Sequence, residues 1–172
     1  PAGRLSFRNL RLPFRDDKRI AQTLAFSLEP LIQQPVDELL IDYTVTGRAE
    51  QSELFAALAD RSLVAERTEL LAPYVRDTAV IDIAAVPLAS RLMQAPEFPA
   101  CALILDIGAR ETTAIFAGKG RILHIRDFGF GGATATEAIA AALGAGPAEA
   151  EAAKRCGELP ETATAAVRAV RD

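Results

Sequence analysis

The chain has 172 residues, half of them hydrophobic, with 19 Lys and Arg against 23 Asp and Glu and a formal net charge of −4. This length suits one generous domain or two small lobes with a real core, and the acidic balance argues against nucleic acid, whose binders carry a basic excess on one face. No apolar run approaches the roughly 18 residues of a membrane span, the opening residues lack the apolar centre of a signal peptide, and Cys101 and Cys156, without CxxC spacing, give neither a disulfide framework nor a zinc site.

The first stretch, LSFRNLRLPF, places Leu5, Phe7, Leu10 and Leu12 against Arg4, Arg8 and Arg11. It predicts an edge strand whose alternation slips by one residue near Asn9. RDDKRIAQTLAFSLEPLI puts Ile20, Leu24, Leu28 and Leu31 on one helical stripe, with Asp16 or Asp17 as cap and Pro30 closing or kinking the helix. Phe26 lies off that stripe, and a second surface of the same domain is expected to cover it. VDELLIDYTVTG alternates Leu39, Ile41, Tyr43 and Val45 with Leu40, Asp42 and Thr44, a half-buried strand ending at Gly47. SELFAALAD fits strand or helix by composition; it is read as strand because a better helix, RSLVAERTELLAPY, follows at once. TAVIDIA then predicts a buried strand and VPLASRLM a short helix entered through Pro87.

Residues 94–100 carry two prolines between apolar runs and mark the expected boundary between lobes. Beyond it, closely spaced strands at 103–106, 112–117 and 122–128 form a meander, with Cys101 opening the first as a small buried residue. Three Ala-rich helices follow at 134–143, 147–156 and 160–171, strongly helical and chemically uninformative. Asp106 ends an apolar strand and Gly108 allows a sharp reversal. The amides of Gly108, Ala109 and Arg110 could face an anion there, with Thr112 or Thr113 beside it and Asp106 toward a metal-bound water. Turn chemistry alone also explains such a loop. His124 is the only histidine and lies in a strand, so no triad and no histidine metal cluster is available. Asp42 and Asp82 have no spacing that pairs them as acid and base. The arginines Arg8 and Arg11 of the first strand are candidates for binding a partner at the strand edge, or for an ordinary solvated face.

Taken together, LPFRDDKRIAQTLAFSLEPLIQQPVDELLIDYTV, VIDIAAVPLASRL, ALILDIGARETTAIFAGKGRILHIRDFGFGG and AEAEAAKRCGELP resemble the actin-like platform proteins of type IV pilus and type II secretion machines. These are the PilM proteins and the cytoplasmic part of GspL. The resemblance implies an α/β, actin-like fold of the ribonuclease H type, related to FtsA: a small inserted subdomain plus a lobe with a β-meander and helices. Residues 1–93 would hold the inserted subdomain and the adjoining part of the first lobe, 94–100 a linker, and 101–172 part of the second lobe. Asp106, Gly108, Ala109, Arg110, Thr112 and Thr113 would match the family's second phosphate loop, although Ala109 and Arg110 depart from its glycine-rich, threonine-rich form.

No Asp-x-Gly precedes Asp106, so the chain is expected to be an excised segment with half of a nucleotide clamp. The resemblance then implies a non-catalytic scaffold with no cofactor or metal in this chain, ATP and magnesium being conceivable in the full-length protein. Its partners would be the cytoplasmic tail of a PilN-like membrane protein or a GspE-like secretion ATPase, and its place the cytoplasm, peripheral to the bacterial inner membrane. The alternative is an actin-like ATP-binding protein or ATPase whose site is incomplete here. A sugar- or acyl-kinase fragment would share the fold and leave the first helix and strand unexplained.

Overall fold

The computed structural model describes residues 4–157 and 159–171, apart from the side chains of Val170 and Arg171. Contacts divide the chain into two compact units, Pro1–Ile104 with Ile115–Arg126, and Leu105–Ala114 with Asp127–Asp172. Residues 94–100 therefore lie inside the first unit.

The first unit is built around β1 (Ser6–Leu12), β2 (Leu39–Arg48) and β3 (Ser52–Asp60), in the order β1-β3-β2 with both pairings antiparallel. SELFAALAD is thus a strand, and the central one. β1 is an edge strand as expected, but its pairing runs unbroken from Ser6 opposite Leu58 to Leu12 opposite Ser52. The apolar pattern shifts near Asn9 because β1 is buried on both faces, with Phe7 in one core and Leu12 in the other. The one irregularity in this sheet falls in β2, between Val45 and Gly47.

Helix α1 (Asp17–Leu28) covers one face of the sheet. Asp16 caps it, its carboxylate accepting the Arg19 amide at 3.0 Å, and Pro30 falls in the single 3-10 turn that ends it. Ile20, Leu24 and Leu28 recur every fourth residue and are buried against Leu12, Leu39, Leu54, Ala56 and Leu58. Leu31 leaves the stripe with the 3-10 turn and is exposed, and Phe26 is 73% exposed instead of covered. At 100° per residue Phe26 points directly away from the buried stripe, so the same domain has no surface there to meet it.

The opposite sheet face packs Phe7 and Phe55 with Ala85 and Ala89 of α3 (Ala85–Met93), Ile115 and Ile125. The two phenyl rings stack with centroids 5.6 Å apart. α3 starts two residues before Pro87, which sits in its first turn. Helix α2 (Arg61–Leu71) follows β3 directly. The buried strand expected at TAVIDIA is absent: residues 77–83 have no regular structure, and Val80 and Ile81 are 79% and 54% exposed. Apolar composition supplies side chains for a strand, but a strand also needs a neighbour for its amides, and among the described residues none pairs here.

The meander is present as β4 (Cys101–Ile107), β5 (Thr112–Gly118) and β6 (Arg121–Phe128), in that order. Its short connections make the strands antiparallel. The β5–β6 turn is Lys119-Gly120, both with positive φ, the two-residue turn that suits strand twist. Cys101 is exposed, not buried, because β4 is half-covered only through Ala102 and Ile104.

In the second unit, α4 (Gly132–Leu143), α5 (Pro147–Cys156) and α6 (Glu161–Arg171) pack Ile139, Ala150 and Ala163 into a small core. Gly144 and Gly157 end α4 and α5 in the left-handed conformation. Replacing Leu24 or Leu28 by alanine should cost about 2–5 kcal/mol in denaturant melts, whereas Phe26→Ala should stay within about 0.5 kcal/mol. A Phe26→Ala loss as large as that at Leu24 would show that the ring is buried.

Candidate functional site

The loop after β4 is closed by its own backbone. The Gly108 amide donates to the Glu111 carbonyl at 3.0 Å, and a Cβ at position 108 would stand 2.9 Å from that oxygen. The carbonyls of Gly108 and Ala109 accept the amides of Gly132 and Ala133, at 2.9 and 2.6 Å, from the first turn of α4. Gly131 makes this approach possible, since a Cβ there would lie 2.7 Å from the Ala109 carbonyl. Thr112 and Thr113 are buried; their hydroxyls donate to the Phe130 carbonyl at 2.7 Å and to Asp127 at 2.6 Å.

The structure therefore brings the six loop residues together and engages the Gly108 amide and the Thr112 and Thr113 hydroxyls internally. The amides at a helix N-terminus are the usual seat of an anion, and here two of them hold loop carbonyls. Asp106, Ala109 and Arg110 are exposed. The Gly108, Gly132 and Ala133 amides and the Thr112 and Thr113 hydroxyls are engaged within the protein, whereas the Arg110 side chain is exposed. Among the described residues no group of three or more His, Cys, Asp or Glu could hold a metal ion.

Beside this loop lies a cluster that the sequence reading passed over. Glu151 of α5 has Oε2 2.5 Å from both Lys154 Nζ and the Thr136 hydroxyl, and Oε1 accepts from Arg155 at 2.9 Å. Lys154 also donates to the Gly132 carbonyl at 2.8 Å and to Thr136 at 2.7 Å. These partners, the Lys154 hydrogen bond foremost, hold the Glu151 carboxyl down at about 2. The Glu-x-x-Lys-Arg spacing within an alanine-rich helix was the available signal, because i+3 and i+4 share a helix face.

In the first unit Arg8 and Arg11 do not form one patch. They are three residues apart on a regular strand and so project to opposite faces. Arg8 donates to the carbonyls of Leu31 and Phe7, and Arg11 pairs with Glu53 at 3.1 Å. His124 accounts for itself structurally, with Nδ1 2.7 Å from the Asn9 side-chain oxygen and its ring against Phe55 and Phe116. Asp42 and Asp82 each hold the amide of the next residue, at 2.8 and 2.7 Å. Both also line a cleft of about 470 Å³. Its apolar walls come from Leu40 of β2, Leu63 of α2 and Ile81 and Ile83 of the unstructured stretch, with Arg4 and Arg67 bordering them. Sequence reasoning missed this cleft because its walls come from segments far apart in the chain.

The family model of the type IV pilus assembly protein PilM matches residues 15–169. The chain belongs to the PilM family. Among solved structures, it is similar to a chain described as the PilM-PilN type IV pilus biogenesis complex, at 26% identity and a TM-score of 0.74, covering 96% of this chain and 51% of that one. The cytoplasmic domain of EpsL, an inner membrane component of the type II secretion system of Vibrio cholerae, matches at 16% identity and a TM-score of 0.52, covering 73% of this chain and 48% of that one. The fold is accordingly the actin-like α/β fold that the resemblance implied. The chain spans about half the length of the solved chains it matches. No helix among the described residues is long and apolar enough to cross a membrane.

The Glu151 cluster has a pH signature. Its carboxyl is depressed in the folded protein, so the stability it contributes is fully present above the ordinary carboxylate range, near pH 4.5, and is lost as pH falls through about 2. In acid titrations followed by circular dichroism, wild type should lose more stability between those two values than Glu151→Gln. Parallel curves would remove the assigned role of the Lys154 and Thr136 contacts.

Proposed function

We propose that this chain is part of a non-catalytic scaffold of a bacterial inner-membrane assembly platform, cytoplasmic and peripheral to the membrane, that docks a PilN-like partner. The observation that carries this reading is the PilM family match over residues 15–169, supported by the similarity to a PilM chain described in complex with PilN. A GspE-like ATPase is the corresponding partner if the system is type II secretion.

The cleft beside β2 is the docking surface this structure offers. β2 is an edge strand, the position from which main-chain groups can receive an extended segment, although its Tyr43 amide is held by Asp42 and its Val45 carbonyl by Arg121. Leu40, Leu63, Ile81 and Ile83 supply apolar contact, and Arg4, Arg67, Asp42 and Asp82 supply charges that can set register. The Arg8 and Arg11 edge is the alternative seat, with the two guanidinium groups on opposite faces of β1 and not beside one apolar cleft.

Two measurements test the reading. A peptide of the cognate PilN-like cytoplasmic tail, titrated calorimetrically, should bind at least about tenfold more weakly to Ile81→Asp and Arg67→Glu, a change of about 1.4 kcal/mol. Both residues are exposed, so the fold should survive. Loss of binding on Arg8→Glu with Arg11→Glu, and not in the cleft variants, would move the site to the β1 edge.

The rival reading is an actin-like ATPase. We expect this chain to show no low-micromolar affinity for ATP with magnesium, because the Gly108 amide and the Thr112 and Thr113 hydroxyls of the loop are engaged within the protein. A dissociation constant near 1 μM, about −8 kcal/mol, abolished by Asp106→Ala, would overturn that expectation.

A further inference from the structure

The outer face of α1 is unexplained by either unit's core or by the proposed docking cleft. Lys18, Arg19, Gln22 and Phe26 are all exposed and, at 100° per residue, lie opposite the buried Ile20, Leu24 and Leu28. Arg15, just before the capping residue, is also exposed. The acids of this turn are engaged: Asp16 caps the helix and Asp17 pairs with Arg48. Among the described residues the side chains of Arg15, Lys18 and Arg19 make no ion pair. The result is three free cations beside an unpaired aromatic ring in a chain of net charge −4. Glu29, also exposed, lies at the far end of the face, where it opposes the pattern without interrupting it.

We propose that this face of α1 rests on an anionic lipid surface, with Phe26 entering the headgroup layer and Arg15, Lys18 and Arg19 held against lipid phosphates. The chemistry is that of an interfacial amphipathic helix reduced to its outer side: cations attract the negative leaflet, and one aromatic ring adds apolar contact. An acidic protein partner would also attract the cations. Lipid is favoured because the ring stands 73% exposed on a convex helix face, which meets a flat, deformable surface more readily than a preformed pocket. The contact is separate from partner docking, whose cleft uses other residues of the same unit, so either can fail alone.

The sequence contains no tryptophan, which makes Phe26→Trp a single reporter on this face, near the C-terminal end of α1. Vesicles containing phosphatidylglycerol should shift its emission to the blue at low salt, and pure phosphatidylcholine vesicles should not. Adding Lys18→Glu and Arg19→Glu should raise the lipid concentration needed about tenfold or more. That loss cannot come from helix unfolding, because acidic residues in a first helical turn stabilise it. The proposal is overturned if the emission stays at its aqueous position with anionic vesicles, if neutral vesicles shift it equally, or if the charge reversals change nothing. An aqueous emission with vesicles that shifts on adding polyglutamate would overturn it in favour of an acidic protein partner.

Discussion

The first unit depends on one strand being buried on both faces. β3 turns Leu54, Ala56 and Leu58 into the core beneath α1 and Phe55 into the core with α3, while its two edges are paired by β1 and β2. A strand in this position has no solvent face on which to place polar residues, and SELFAALAD accordingly reads as nearly continuous apolar sequence. Everything else in the unit follows from satisfying that strand. α1 must present a stripe of large aliphatic residues, β1 must carry apolar groups on both sides, and the surfaces proposed for docking and for lipid contact lie at the periphery: the cleft beside β2 and the outer side of α1.

In the second unit the organising contact is the fit of the loop after β4 against the start of α4. Loop carbonyls and helix amides satisfy one another, and glycine at 131 lets the two backbones meet. Lys154 reinforces the join by donating to the Gly132 carbonyl while held by Glu151. The loop and the helix start thus form a structural joint, in which the Gly132 and Ala133 amides are taken up by the loop carbonyls.

What could be read in the sequence was whatever depends on local spacing. The α1 stripe, its Asp16 cap, the alternation of β2, the meander and the three alanine-rich helices all express a period or a turn within a few residues. Phe26 and residues 77–83 were misjudged because burial is decided by what lies opposite, which spacing does not encode. Arg8 and Arg11 were set against one apolar series because the alternation was expected to slip near Asn9, whereas the unbroken strand sends them to opposite faces. The Gly108 loop was located correctly as a turn, but the seating of its carbonyls depends on Gly131 and Gly132, more than twenty residues further on. The Glu151 cluster was legible in its spacing and obscured by the low chemical content of its surroundings.

The core beneath α3 is assembled from remote parts of the chain: Phe7 and Phe55 near its start, Ala85 and Ala89 beyond them, and Ile115 and Ile125 later still. β1, moreover, pairs not with its successor but with β3. The β2–β3 hairpin closes a short loop and can form early, whereas β1 must close a much longer one, and ribosomal synthesis must pass Ile125 before that core is complete. Until then the emerging chain carries exposed aromatic residues and an unpaired strand edge. This core therefore cannot close before Ile125 has been made, and a break in the chain between α3 and β5 would separate pieces neither of which holds it whole.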